Sequence, residues 1–327
     1  MILNHLIALT IAVIIDLIIG DPPDWPHPVK WMGSLINRLD QRLNVGPNRK
    51  SKGVAMTAVV LLIAGSAALL VTSVFYLLHP VAGIMVEAIL ISTTIAQKSL
   101  KEAALSVYYP LVNEDLEEAR HKLSWIVGRD TELLEEPELV RAAVETVAEN
   151  TSDGITAPLF WALLGGAPLA IIYRAINTCD SMVGYKNEKY LEFGWASARL
   201  DDAANWIPSR ITSICILLSK RPLFMTRTDA WKLVRRDAKK HPSPNSGWGE
   251  AAVAAILGVQ LGGVNYYKGI ISKRATMGDA LIKLEKNHIL VANKIVTATV
   301  PLFIILLWLG GSLYEMAISW FQSSLFI

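Results

Sequence analysis

The fold class that the sequence predicts is an all-α integral membrane protein. It has about four clear transmembrane helices, further broken or re-entrant helices, and a cytoplasmic helical region. Three observations predict it. Of the 327 residues, 52% are hydrophobic and the mean hydropathy is +0.37, too apolar for an ordinary soluble domain. Two long runs, 54–78 and 295–314, carry no charge at all, and about 20 apolar residues suffice to cross a bilayer. Yet 18% of the residues are charged, so a substantial part of the chain belongs in water.

The first span is 2–20, interrupted only by Asp16. It lacks a basic leader and a small-residue cleavage site, and reads as a retained span and not a signal peptide. The run 54–78 is the second span. Pro80 turns the chain in "LLHPVAG", and 81–97 forms a weaker third that contains Glu87. The run 295–314 is the last. Lys30, Arg38, Arg42, Arg49, Lys50 and Lys52 follow the first span, and no Lys or Arg precedes it. That asymmetry predicts an outside N-terminus and a cytoplasmic segment 21–53.

From about 98 to 294 the character changes, giving three expected regions: 1–97, 98–294 and 295–327. Mixed-charge helical periodicity fills 113–150, and a basic stretch surrounds 219–247. Between them, 155–178 is apolar but broken by Pro158 and "GGAP". If it dips in and returns, its two polar flanks face one side, an arrangement tolerated where the backbone lines a cavity or is buried in protein. An ordinary Pro-kinked span is the competing reading. The pieces 206–219 and 251–264 are short for crossings.

Polar motifs cluster beside these apolar pieces. In "RLDDAANWIPSR" the spacing of Asp201 and Asn205 puts both on one helix face, with Asp202 to the side. Such oxygen donors suit Mg²⁺, which takes one or two carboxylates and leaves other positions to phosphates and water. Arg199 and Arg210 can grip phosphate oxygens. A surface salt-bridged pair is the bland reading of that motif taken alone. "ETVAENTSDG" adds Glu149, Asn150 and Asp153, while Arg141 and Glu145 read as a plain surface pair. "RAINTCDSMVGYKNEKY" adds Asn177 and Asp180, with Lys186 and Lys189. "HPSPNSGWGE" is a turn-rich loop of His241, Ser243, Asn245 and Ser246 opening a helix at Trp248 and Glu250, a natural anion site or a simple capped linker. Asp16 and Glu87 are ionisable residues inside spans and so are functional candidates. Cys179 and Cys215 are too few for a disulfide framework. The net charge of +2 argues neither for nor against nucleic acid, but no basic, aromatic-interleaved stripe is present, and no nucleic-acid partner is expected. No P-loop, GxGxxG, HExxH or Cys/His metal spacing is present.

The ordered series "GDPPDWPHPVKWMG", "VGRDT", "ETVAENTSDGITAPLFWALLGGAP", "YRAINTCDSMVGYKNEKY", "FGWASARLDDAANWIPSR" and "DAKKHPSPNSGWGEAAVAAILGVQLGG" resembles the CobD/CbiB-type adenosylcobinamide-phosphate synthases over about 12–292. That resemblance implies a cobalamin-biosynthesis enzyme of the cell membrane, its active site facing the cytoplasm. The reaction it implies is amide-bond formation between adenosylcobyric acid and (R)-1-aminopropan-2-ol phosphate, with ATP as co-substrate and Mg²⁺. A carboxylate is a poor acyl donor, so it would first be activated as an acyl phosphate. On this reading Asp201, Asp202 and Asn205 hold Mg²⁺, with Asp153 or Asp180 completing the set. Arg199, Arg210 and Lys186 contact phosphates, and the 241–247 loop cradles either ATP or the amino-alcohol phosphate. Glu149 or Asp153 takes the amine proton. Trp195, Trp206, Trp248 and Tyr266 offer faces to the corrin. The expected partners are the two substrates and membrane lipid, with room for a homo-oligomer or other membrane proteins of the pathway. Two other classes compete: an intramembrane Mg²⁺-dependent prenyltransferase, since "NTCD" and "DDAAN" faintly resemble its paired Asp motifs, and a corrinoid transporter or scaffold lined by Asp16 and Glu87.

Overall fold

The computed structural model describes residues 1–22 and 24–324; Pro23, in the proline-rich loop, lies outside the described residues. Thirteen α-helices follow one another among the described residues. They are α1 (Ile2–Ile18), α2 (Pro28–Leu43), α3 (Arg49–Leu78), α4 (Pro80–Ser92), α5 (Gln97–Val112), α6 (Leu116–Ser124) and α7 (Glu136–Thr151). After a π-turn at Ser152–Thr156 come α8 (Ala157–Val183), α9 (Trp195–Ala204), α10 (Trp206–Ser219), α11 (Arg227–Asp237), α12 (Ser246–Leu257) and α13 (Asn287–Ser324). A two-stranded hairpin, β1 (Leu261–Tyr267) with β2 (Ile270–Met277), precedes α13. The protein is therefore a helical, multi-span membrane protein. Four stretches are long and apolar enough to cross a membrane: Arg49–Leu78, Pro80–Val112, Glu136–Val183 and Asn287–Ile318. The first predicted span is a shorter apolar helix, α1, of 17 residues. The third does not run unbroken through 81–97, because α4 stops at Ser92 and α5 starts at Gln97.

The chain divides into two compact units, neither of them continuous in sequence. The first holds Met1–Ala96, Ile155–Ala204 and the chain from Ile304. Its helix starts are written into the sequence. Pro28 and Pro80 occupy first-turn positions of α2 and α4, where a missing N–H is harmless. The rings of His27 and His79 accept the Val29 and Val81 N–H groups at 3.3 and 3.2 Å. The small, uncharged face of α3 lets α8 and α9 approach closely. A Cβ on Gly53 would stand 1.8 Å from the Phe193 carbonyl oxygen.

α8 is broken at the "GGAP" motif, where Gly165 (φ −157°, ψ 30°) and Gly166 (φ 62°, ψ −156°) leave helical geometry. The two halves fold back on each other. Ala157, Trp161, Tyr173 and Ile176 all pack around Ala204, whereas on a straight helix Ala157 and Tyr173 would stand about 24 Å apart. Trp161 Nε1 donates to the Ala204 carbonyl at 3.1 Å. The break exposes the Ala167 N–H, and Glu87 of α4 accepts it at 3.1 Å. The same carboxylate lies 2.6 Å from His5 Nδ1 and accepts the Tyr76 hydroxyl. Glu87 is thus a buried clasp joining α1, α3, α4 and the tip of the α8 hairpin.

Gly166 cannot be anything else. Its φ and ψ lie in a region that is essentially glycine-only, and a Cβ there would meet Glu87 Oε1 at 2.0 Å. Gly166→Ala should destabilise the first unit by at least the ~1–3 kcal/mol of a strained backbone. Thermal melting in detergent reads it, and an unchanged melting temperature would contradict the hairpin tip described.

The second unit holds Gln97–Gly154 and Asn205–Phe303. Its centre is α12, apolar apart from Ser246 and Glu250 and buried throughout except at Trp248, as a helix hydrophobic nearly all round must be. α12 lies so close to α7 that a Cβ on Gly249 would come within 2.7 Å of the Ala148 carbonyl oxygen. The hairpin replaces the end of what the sequence suggested was one apolar piece, 251–264. Its two-residue turn, Lys268–Gly269, has positive φ at both positions (53° and 76°), the tight geometry that suits twisted strands. The Asp130 carboxylate seals that turn, accepting both N–H groups at 2.8 and 2.7 Å.

Candidate active site

In the first unit the polar residues gather between the second half of α8 and α9. Asn177 donates to Asp201 Oδ1 at 3.3 Å, tying the two helices together. Asp202 is next on α9, partly buried. Burial raises its pKa, and Arg199 and Lys186 pull it back without cancelling the rise. A Cβ at Gly184 would collide with the Asp180 carboxylate, so this glycine makes room for it. Trp195, at the start of α9, carries the Lys50 ammonium 4.0 Å above its ring.

α9 ends at Ala204, and Asn205 (φ −89°, ψ −6°), wholly buried, stands at the position that opens α10. Asp180, Lys186, Trp195, Arg199, Asp201 and Asp202 thus belong to the first unit. Glu149, Asp153, Asn205, Trp206, Arg210, His241, Ser243, Asn245, Ser246 and Trp248 belong to the second.

In the second unit the loop 241–245 and the start of α12 meet the acidic face of α7. Ser246 Oγ donates to Glu149 Oε1 at 2.9 Å. Ser243 Oγ accepts the N–H groups of Asn245 and Ser246 at 3.2 and 3.3 Å, shaping the loop. His241 Nδ1 accepts the Ser243 N–H at 3.0 Å, and its Nε2 faces Glu250 Oε1 at 3.6 Å. Asn245 Oδ1 accepts from Ser209 Oγ and Arg210 Nη1, both at 3.4 Å. The Arg210 guanidinium lies 4.2 Å from the Trp206 ring centre and 4.9 Å from that of Trp248. A cation over an aromatic face is favourable, so the three side chains form a single platform. Asp153 lies in the π-turn that follows α7.

Several residues of this cluster were not expected. Arg141 and Glu145, read from sequence as a surface pair, are 9% and 5% exposed. Glu145 takes Arg129 Nη2 at 2.5 Å and the Gly262 N–H at 2.7 Å, with Arg141 Nη1 at 4.0 Å. Arg141 in turn donates to the carbonyls of Gly262 and Val264 and to Asn265. The i, i+4 spacing was visible; its burial by β1, 117 or more residues along the chain, was not.

Glu250 is 2% exposed. Burial first, then the nearby Glu145 and Glu149, push its pKa well above the carboxylate range, against Arg274 and Arg129. Burial likewise lowers the basicity of His241, against the pull of Glu149. A carboxyl whose pKa is raised by folding favours the fold in its protonated form. That contribution is full at low pH, shrinks as pH rises from the ordinary Glu value, and is gone above the folded pKa. Glu250→Gln, neutral at every pH, should therefore gain stability relative to the parent as pH rises from about 4 upward. Parallel melting-temperature profiles from pH 4 to 9 would contradict the raised pKa.

Among the described residues no group of three or more His, Cys, Asp or Glu side chains is arranged to hold a metal ion. Such a group would be needed for a site built wholly from protein side chains. Adjacent Asp201 and Asp202, beside Arg199 and Lys186, fit the other mode of Mg²⁺ binding, through one or two carboxylates with substrate phosphates completing the shell.

Residues 9–296 match the family model described as CobD/Cbib protein. The chain is 53% identical to the cobalamin biosynthesis protein CobD of Halalkalibacterium halodurans, over 96% of this chain and 99% of that one. It is 50% identical to the protein of the same name from Geobacter metallireducens, over 84% and 86%. With the cobalamin biosynthesis protein CbiB of Salmonella typhi it shares 47% identity over 84% and 88%. No solved structure matches the chain.

Proposed function

This chain belongs to the CobD/CbiB family of cobalamin biosynthesis proteins, and from that premise we propose that it is an amide-forming synthase of the cell membrane. It joins adenosylcobyric acid to (R)-1-aminopropan-2-ol phosphate with consumption of ATP, giving adenosylcobinamide phosphate. The observation that carries this reading is the division of labour among the carboxylates.

Asp201 and Asp202 are adjacent on α9, and Arg199 and Lys186 act on the Asp202 carboxylate. When bound there, Mg²⁺ neutralises phosphoryl oxygens during activation of the corrinoid carboxylate. Arg199 and Lys186 add positive charge on the same side. The amine nucleophile must lose a proton on becoming an amide, which requires a base within reach. In the second unit Glu145 is committed to Arg129 and Gly262, and burial pushes the pKa of Glu250 up. Glu149 is partly exposed and oriented by Ser246, which makes it, beside Asp153, a carboxylate suited to accept that proton. The Trp206–Arg210–Trp248 platform offers an apolar and cationic face to the broad corrin. The basic residues that dominate 21–53 put that segment on the cytoplasmic side of the membrane.

The test is reconstitution. Purified protein in detergent or liposomes should convert the two substrates to the amide with one ATP consumed per product, and only with Mg²⁺ present. Amide formation without nucleotide, or none at all from a folded protein, would overturn the reading.

A further inference from the structure

A second candidate site lies where α5 packs beside α13. The two helices run antiparallel. Tyr108 donates to Asn287 Oδ1 at 3.3 Å, Lys286 Nζ to the Leu111 carbonyl at 3.3 Å, and Asn293 Nδ2 to the Lys101 carbonyl at 3.2 Å. Between them is a cavity of about 390 Å³, lined by Lys101, Leu105, Leu290, Asn293, Lys294 and Thr297.

Three features of this cavity point to a ligand. Lys101 and Lys294 come from different helices, both exposed, and among the described residues neither ammonium has an ion-pair partner. Asn293 is 5% exposed, and its carboxamide oxygen is buried with no hydrogen-bond donor, a state that is unfavourable unless something supplies the bond. The cavity also sits at a boundary. Immediately after Lys294, α13 enters the uncharged run 295–314, whereas the opening of α5, "QKSLKE", is polar. A phospholipid carries its phosphate at such a level.

We propose that this cavity binds the headgroup of an anionic phospholipid, with its phosphate between Lys101 and Lys294 and a headgroup hydroxyl donating to Asn293. The hydroxyl follows from charge. The donor must lie near two ammonium groups, which disfavours the ammonium of an ethanolamine or choline headgroup and favours a glycerol one. Leu105 and Leu290 supply apolar wall for the adjoining glycerol backbone and chains. Lysines near a membrane surface are attracted to anionic lipid.

The full-length protein in a neutral detergent tests this, titrated separately with short-chain phosphatidylglycerol, phosphatidylethanolamine, phosphatidylcholine and inorganic phosphate. Binding is read by native mass spectrometry and by thermal shift. Phosphatidylglycerol is expected to bind at least 10-fold tighter than any of the other three. The Lys101→Gln/Lys294→Gln variant, changed only at exposed side chains, should fold as the parent does and lose that preference. Equal binding of phosphatidylglycerol and the zwitterionic lipids would overturn the proposal, as would an unchanged preference in the double variant. Inorganic phosphate binding as tightly as phosphatidylglycerol would identify a soluble anion site instead, and overturn the lipid assignment.

Discussion

Replacing Glu145 by alanine should destabilise the second unit by about 3–5 kcal/mol, the usual loss when one partner of a buried ion pair is removed. The reason is what stays behind. Arg129 would lose its carboxylate partner, Arg141 would lose a charge 4.0 Å away, and the Gly262 N–H at the start of β1 would lose its acceptor. None of these groups can turn to water without moving the β-hairpin off α7. Glu145→Gln keeps an acceptor for Gly262 but not the charge, so its loss should be intermediate. Denaturation in detergent measures both. Hydrogen exchange at Gly262 and Val264 should rise in the alanine variant before it rises in α12. An alanine variant within 1 kcal/mol of the parent would mean that the two arginines are solvated in the folded protein, contrary to the geometry described.

The second large effect is catalytic. Asp201→Asn removes one of two adjacent carboxylates while keeping the oxygen that meets Asn177. A divalent ion bound largely through substrate phosphates depends heavily on each protein charge. The expected fall in kcat/KM is about 100-fold, or ~3 kcal/mol in the barrier, with the Mg²⁺ concentration for half-maximal rate moved upward. Asn177→Ala, which leaves both carboxylates in place, should change the rate far less. Full activity in a folded Asp201→Asn protein would remove the proposed metal position, while leaving the family membership untouched.

The spans were legible because an uncharged run of 20 or more residues has few alternatives to a membrane helix, as at 54–78 and 295–314. The break in α8 was legible too: "GGAP" places two glycines and a proline in mid-helix, and Gly165 and Gly166 are where helical geometry fails. The β-hairpin was not. Its strands alternate weakly, and its turn is the modest "KG" between "NYY" and "IIS". The loop 241–247 and Glu149 were both singled out, and Ser246 does reach Glu149. Glu145 was dismissed because an Arg–Glu pair at i, i+4 looks the same in sequence whether it faces water or a strand far along the chain. Glu250 carried a readable signal, a carboxyl opening the alanine-rich helix "AAVAAIL", where burial follows from composition. Two successive helices meet at Asn205, a junction that the spacing of Asp201 and Asn205 does not reveal.

The proposed chemistry is most directly tested by isotope transfer from the corrinoid carboxylate. Adenosylcobyric acid labelled with ¹⁸O at the reacting carboxylate is turned over with ATP, Mg²⁺ and aminopropanol phosphate. Activation as an acyl phosphate followed by amine attack predicts one ¹⁸O in the released inorganic phosphate and one in the product amide, with ADP formed in equal amount. Amide product with no ¹⁸O in phosphate, or label recovered in AMP, would contradict it.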